Sequence, residues 1–412
     1  MKKVICVIFF LSLCVITAFF SLRNSKENSK TTIRIATYSI DDLLQDLIKN
    51  YDTNSNYNIE LVDYSEVDLV EATKRLKKDV FEKKIDIIYN SSFPYDYLKE
   101  SGVFANIPEI LPGGYNYLEQ NYIIEKDARE KKLYQISIGF RIISLASSEN
   151  EKIEKWNNIF DYMSTNKSRI LGIEKEYFAL QVFFSNFNFF INWSGEKHFL
   201  NQDVFLMIIE FLEQNDRVYD GSISYIQLPD FIELQTLGYY FDRPYCLMGF
   251  PTVETNSATL NFMPGFSISA YTEKTDACQK FIEYCLSDKV QEYMMQKHFW
   301  FPTSMKVIYK LIENDTKAAY IIDEYGNQIE EPCGYSYNNG LELALYSAPK
   351  TDVDVIMNTI NNAENYMYYD YSIKEIISKA INEFYEEKSD ADEMLNEIEN
   401  GVTSYIVALN KT

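Results

Sequence analysis

Groups that move protons, attack carbonyls or hold metals are few in this sequence and stand in unpromising patterns. Its two histidines, His198 and His298, lie far apart in a chain of 412 residues, which argues against a Ser-His-Asp site or a histidine metal centre. Carboxylates neighbour one another at Asp41-Asp42, Glu330-Glu331 and Asp390-x-Asp392-Glu393. Sequence neighbours point apart on a strand and diverge on a helix, so such adjacency does not make an acid–base pair. Neither G-x-x-x-x-G-K-[ST] nor G-x-G-x-x-G is present to cradle a phosphate, and there is no G-x-S-x-G nucleophile elbow. Cysteines lack the C-x2-C spacing of zinc sites, and Cys278 and Cys285 are seven residues apart on one helical face. That places them about 10 Å apart along the axis, too far for a disulfide. Cys246, Cys278, Cys285 and Cys333 are read as buried free thiols. We expect no catalytic residue, no metal and no cofactor.

The chemistry left is that of binding. The chain carries 33 Tyr and 27 Phe but only 3 Trp. Its net charge is -22, from 61 acidic and 39 basic residues. Such acidity repels phosphate backbones, so nucleic acid and anionic lipid headgroups are poor partners.

The elements that must position these side chains are legible. Ile33 and Ile35 alternate into Thr37-Tyr38 as a strand, and Ile40, Leu43, Leu44, Leu47 and Ile48 repeat at helical spacing. Ile59–Val62 is a second strand. Val67–Phe81 is an amphipathic helix with Val70, Leu76 and Val80 inward, and Ile85–Tyr89 is a third strand. Strand and helix alternating at this pace predict parallel βαβ units. Tyr134–Leu145 and Arg243–Phe250 read as further strands. The apolar run Phe178–Ile191 reads as a buried helix through Phe183, Phe184, Phe187 and Phe190. Thr275 stands where a cap would open the Ala277–Cys285 stripe. Ile373–Phe384 is another stripe, and Asp390 with Glu393 forms a capping box before a last helix.

Lys2 and Lys3 precede Val4–Leu22, 19 residues without a charge. A basic start before an apolar run directs a chain to export, and the run is about as long as the roughly 20 residues that span a bilayer. Leu13 before Cys14 departs from a lipobox, so residues 1–22 are read as a signal peptide or membrane anchor. Residues 23–32 then form a polar flexible tether. The protein is expected at the outer face of the cell membrane or secreted.

Met263–Pro302 carries a specific likeness. Pro264-Gly265 leads to Ile268-Ser269-Ala270, followed by Phe281-Ile282, Leu286-Ser287, Val290-Gln291 and Phe301-Pro302. This resembles the extracellular solute-binding proteins of family 1, the class of maltose-binding protein, as does the helix pair Ile373–Leu409. Weaker echoes lie at Asp86-Ile87-Ile88, Lys132–Ile136 and Tyr245–Phe250. The resemblance implies an α/β, two-lobed periplasmic-binding-protein-like fold of type II. One lobe would take 31–138 plus 264–303 and the other 139–263 plus 304–412. It further implies a monomer that closes on a small solute, a sugar or oligosaccharide, and delivers it to the permease of an ABC importer. A membrane-tethered ligand sensor, or less readily a glycan hydrolase, are the alternative functions.

In open α/β sheets ligands sit beyond the carboxyl ends of strands. Tyr38, Tyr89 and Asn90 take those places in the first lobe. Under the implied fold, Phe140 and Arg141 fall at the first crossing, Trp193, Tyr239, Tyr240, Arg243 and Phe250 come from the second lobe, and Trp300 from the return. Aromatic faces stack on sugar C–H faces, while Asn and Arg fix hydroxyls.

Overall fold

The computed structural model describes residues 30–411, leaving aside 55, 126–130, 149–155, 166–169, 171, 216–222, 231–244, 299, 339–340 and 368. The chain opens as β1 (Thr31–Thr37), α1 (Asp42–Asn54), β2 (Tyr57–Asp63), α2 (Leu69–Phe81) and β3 (Ile87–Tyr89). Short helices α3 (Tyr95–Glu100), α4 (Ile107–Ile110) and α5 (Gly114–Asn121) follow, then the long strand β4 (Gly139–Ser148). A helical stretch comes next: α6 (Ile159–Thr165), α7 (Lys175–Ser185), α8 (Phe187–Phe190) and α9 (Gln202–Asn215). Strands β5 (Ser224–Leu228), β6 (Tyr245–Gly249), β7 (Thr259–Phe262) and β8 (Phe266–Ile268) lead to α10 (Thr275–Cys285) and α11 (Asp288–His298). After β9 (Phe301–Pro302) and α12 (Met305–Asp315) come two hairpins, β10 (Ala319–Ile322) with β11 (Gln328–Glu331) and β12 (Gly334–Asn338) with β13 (Leu341–Leu345). The chain closes with α13 (Lys350–Asn361), β14 (Asn365–Met367), α14 (Tyr371–Tyr385) and α15 (Ala391–Asn410).

Two main sheets result. The first has the order β2-β1-β3-β8, with β1 parallel to both β2 and β3 and β8 antiparallel. The second runs β14-β7-β4-β5, with β6 and β9 also on β4. This is an α/β architecture built on two main sheets.

The expected βαβ units form for the expected reasons. Ile33 and Ile35 face one side of β1 and Ala36 the other, and all three are fully buried, because helices cover both faces of a parallel sheet. Asp68 caps α2 by accepting the Glu71 N–H, and Ala72, Thr73, Leu76 and Val80 form its buried stripe. Val70 is half-buried and Ile40 is exposed ahead of α1. The capping box of Asp390 and Glu393 opens α15. Thr275 is the first residue of α10, whose cap position is Lys274 with no side-chain bond. The apolar run at Phe178–Ile191 breaks into α7 and α8, and Phe183, Phe184, Phe187 and Phe190 are buried as expected. The two hairpins were not anticipated. Every residue of β10 is exposed, so burial leaves no alternation to read there.

Asp86, 2% exposed, staples the first sheet. Its Oδ2 accepts the Arg34 backbone N–H at 2.9 Å and Lys274 Nζ at 2.8 Å, and its Oδ1 accepts Thr272 Oγ1 at 2.7 Å. Lys274 Nζ also donates to Thr32 O at 2.7 Å. One carboxylate thus ties the start of the sheet to the loop before α10, 186 to 188 residues away in sequence.

The sheets are joined by three crossing segments. Phe266 and Ile136 exchange backbone bonds of 2.9 and 3.0 Å, Met263 N–H reaches Gly139 O at 3.0 Å, and Thr303 N–H reaches Ile138 O at 3.2 Å. Gly265 is required at this junction: a Cβ there would lie 2.6 Å from both Gln135 Cγ and Ile136 O. A second junction lies away from the crossings. The Tyr97 hydroxyl of α3 donates to Leu409 O of α15 at 2.8 Å, and one apolar cluster runs from Leu76 and Val80 to Val402, Tyr405 and Leu409.

Cys278 and Cys285 are buried free thiols, and burial pushes Cys278 up to about 12. Cys246 is half-buried and Cys333 exposed, contrary to the expectation that all four are buried. Among the described residues no helix is long and apolar enough to cross a membrane, and no His/Cys/Asp/Glu group could hold a metal ion.

Candidate functional site

The carboxyl ends of β1 and β3 point toward the second sheet, and the crossings begin beside them. Tyr38, half-buried, follows β1; its hydroxyl donates to Val67 O at 3.1 Å and its ring meets Phe93 edge-on at 6.0 Å. Asn90 follows β3. Its backbone N–H is held by Gly265 O at 2.9 Å, and its Nδ2 donates to Gln135 Oε1 and Ser267 Oγ, each at 2.7 Å. Two of the three crossings therefore fix this amide. Asn90 Oδ1 and Ser91 Oγ are buried and meet no hydrogen-bond partner among the described residues.

Arg141 stands at the start of β4 with its guanidinium 4.0 Å from the Trp300 ring centre. Its Nε is likewise buried with no partner among the described residues. Burial lowers its pKa, while Tyr177, Asp230 and Tyr225 act to raise it. Those neighbours begin a tyrosine group from the second sheet. Tyr177 meets Tyr225 edge-on at 6.3 Å, and Tyr369 accepts a 2.6 Å hydrogen bond from Gln181 Nε2. Burial raises the Tyr225 and Tyr369 phenols well above their ordinary range, so both stay neutral donors.

The other candidates are placed differently. Tyr89 is fully buried in the first lobe, its hydroxyl donating to Asp41 Oδ2 at 2.7 Å. Phe140 is fully buried and stacks on Phe301 at 5.6 Å. Phe250 is fully buried between Phe178 and Tyr225, so Tyr225 holds the more open position. Trp193, 4% exposed, packs against Tyr97, Phe187 and Tyr405 at the α3–α15 junction. Tyr239, Tyr240 and Arg243 lie outside the described residues. The structure thus groups Asn90, Arg141 and Trp300 near the crossings, with Tyr38 at the end of β1. Tyr177, Tyr225, Tyr369 and Gln181 escaped the sequence reading. The one signal available for Tyr177 was its place in the first turn of a helix.

Two acids, Asp96 and Asp370, have their pKa raised by burial. A hollow of about 210 Å³ opens between Asp96 and Glu125 on one side and Asn186, Glu254 and Asn365 on the other. Burial raises Asp96 to about 7, with Glu125 and Asp370 adding and Lys99 opposing. Burial also raises Asp370, the cap of α14, to about 6, although the Ile373 N–H and Tyr405 hydroxyl stabilise its charge. A carboxyl whose folded pKa is raised binds more protons folded than unfolded between about pH 4 and 7. Its contribution is complete below the unfolded pKa and is lost as pH rises through the folded one. Urea unfolding should therefore show stability falling from pH 5 to pH 7.5. Asp370→Asn, which keeps a capping oxygen, should remove about 1.4 kcal/mol of that fall, the part of its shift that lies above pH 5; an unchanged slope would discount Asp370.

No family model and no curated protein matches this chain. Similar solved structures include a maltose/maltodextrin-binding domain from Bdellovibrio bacteriovorus bound to maltotriose, 11% identical, covering 92% of this chain and 100% of that one, with a TM-score of 0.47. A family 1 extracellular solute-binding protein from Alicyclobacillus acidocaldarius is 10% identical, with 93% and 100% covered and a TM-score of 0.49. An ABC transporter solute-binding protein from Thermotoga lettingae, bound with α-D-tagatose, is 12% identical, with 92% and 100% covered and a TM-score of 0.49.

Proposed function

We propose that the chain is a solute-binding clamp of an ABC importer, without chemistry of its own. It captures a neutral sugar or oligosaccharide between a lobe of 31–138 plus 264–303 and a lobe of 139–263 plus 304–412, then delivers it to a membrane permease. The observation that carries this reading is the pair of sheets joined by three crossings, with polar atoms of Asn90, Ser91 and Arg141 beside them that meet no partner among the described residues. Hinge bending at such crossings moves lobes as bodies and lets the membrane partner distinguish loaded from empty protein.

A thermal-shift screen over mono- and oligosaccharides, amino acids, peptides and polyamines tests it. A sugar at one hundred times its Kd should add about 2.7 kcal/mol of stability. Arg141→Ala should weaken the same sugar at least about ten-fold, equal to about 1.4 kcal/mol. Stabilisation by non-carbohydrates alone would sink the sugar assignment, and turnover of a glycan would replace the clamp by an enzyme.

A further inference from the structure

A local departure from the chain's acidity lies between α2 and α15. A groove of about 820 Å³ between α2 and the end of α15 is lined by five cations against two carboxylates, Glu71 and Glu82. Arg75 pairs with Glu71 at 2.7 Å and Lys78 lies 4.0 Å from Glu82. Lys77 is turned onto Tyr97, leaving Lys74 and Lys411 as further cations. Phe81, 46% exposed, meets Tyr271, 39% exposed, edge-on at 4.9 Å. Lysine stems and an exposed aromatic pair form an apolar floor with a cationic rim.

Its position in the fold supplies the occupant. Helix α2 runs back along the sheet, so its last turn lies at the edge where β1 begins. Arg34 Nη1 bonds Lys84 O at 3.3 Å there, and Lys274 reaches Thr32 O. Only residues 23–30 separate that edge from the uncharged run Val4–Leu22. Eight residues span roughly 28 Å at most, so a chain held by that run keeps this edge within that distance of the bilayer.

We propose that the α2–α15 groove, with Phe81 and Tyr271, rests on an anionic lipid surface and orients the lobes on the membrane. The proposal rests on membrane anchoring through residues 4–22. The net charge of -22 opposes approach from a distance. However, screening confines that repulsion to about 8 Å at physiological salt, and the tether supplies the local concentration.

Full-length Phe81→Trp protein is reconstituted in nanodiscs of brominated phosphatidylcholine, with or without phosphatidylglycerol. The unsubstituted chain provides the background, with Trp156 and Trp193 buried and Trp300 half-buried against Arg141. Quenching of the introduced indole should appear with phosphatidylglycerol, vanish in 0.5 M salt, and fall to the phosphatidylcholine level in Lys74→Glu/Lys78→Glu/Lys411→Glu at unchanged Tm. Absent quenching, equal quenching in both lipids, or indifference to the three substitutions overturns it. So does displacement of the indole from the lipid by oligo-glutamate, which would assign the groove to an acidic peptide. Flotation with phosphatidylcholine vesicles tests anchoring separately. A chain that stays unbound there but shows indole quenching on phosphatidylglycerol vesicles loses the anchor and keeps the surface.

Discussion

Asp86→Ala should cost about 3–5 kcal/mol of unfolding free energy, the largest loss expected from any single change considered for this protein. The physical reason is the state in which it leaves its partners. Arg34 N–H, Thr272 Oγ1 and Lys274 Nζ all converge on that carboxylate. Its removal strands a backbone donor, a hydroxyl and an ammonium whose side chain is only 30% exposed. Lys274 keeps its bond to Thr32 O, so its charge is not wholly abandoned, which keeps the cost within that range. Removing both charges should be milder: Asp86→Asn/Lys274→Met should recover a large part of the loss, because no unpaired ion then remains. Urea denaturation of the single and double variants gives the coupling energy directly. A loss below about 1 kcal/mol for Asp86→Ala would show that the staple contributes little.

Gly265→Ala comes second and acts on the crossing. The new methyl would meet Ile136 O and Gln135 Cγ at 2.6 Å. Gln135 can swing aside, but a backbone carbonyl moves only with its segment. Overpacking of this kind costs about 1–3 kcal/mol. The functional effect should exceed the stability effect. Gly265 O holds the Asn90 N–H, while Asn90 Nδ2 bonds Gln135. Parting the crossing therefore rotates the amide that, under the proposed function, faces the solute. A fall in sugar affinity of about ten-fold or more, with a Tm lowered by only a few degrees, is the expected result in calorimetry and thermal unfolding. Unchanged affinity would separate the crossing from binding.

Gly265 also shows what kind of information the sequence carries. Pro264-Gly265 stands out as a motif in the bare sequence, yet its cause is a contact with residues 129 and 130 positions earlier. The parallel units of the first sheet, the stripe of α2 and the capping box of α15 were legible because they depend on residues within a few positions of one another. Hydrophobic period and cap chemistry are local signals. By themselves they determined an alternating α/β chain, the burial of the phenylalanine-rich middle and the lack of any catalytic pattern. Only the tertiary structure decided which aromatic faces what. Phe140, Phe250, Trp193 and Tyr89 are core residues, while Tyr177 and Tyr225 lie near Arg141, with Tyr369 beside those two tyrosines. In a chain with 33 Tyr and 27 Phe, an aromatic bound for the core and one bound for a cleft look alike in sequence. The difference arises when two sheets, joined by segments distant in sequence, come together and leave some rings enclosed and others beside polar atoms that meet no partner among the described residues.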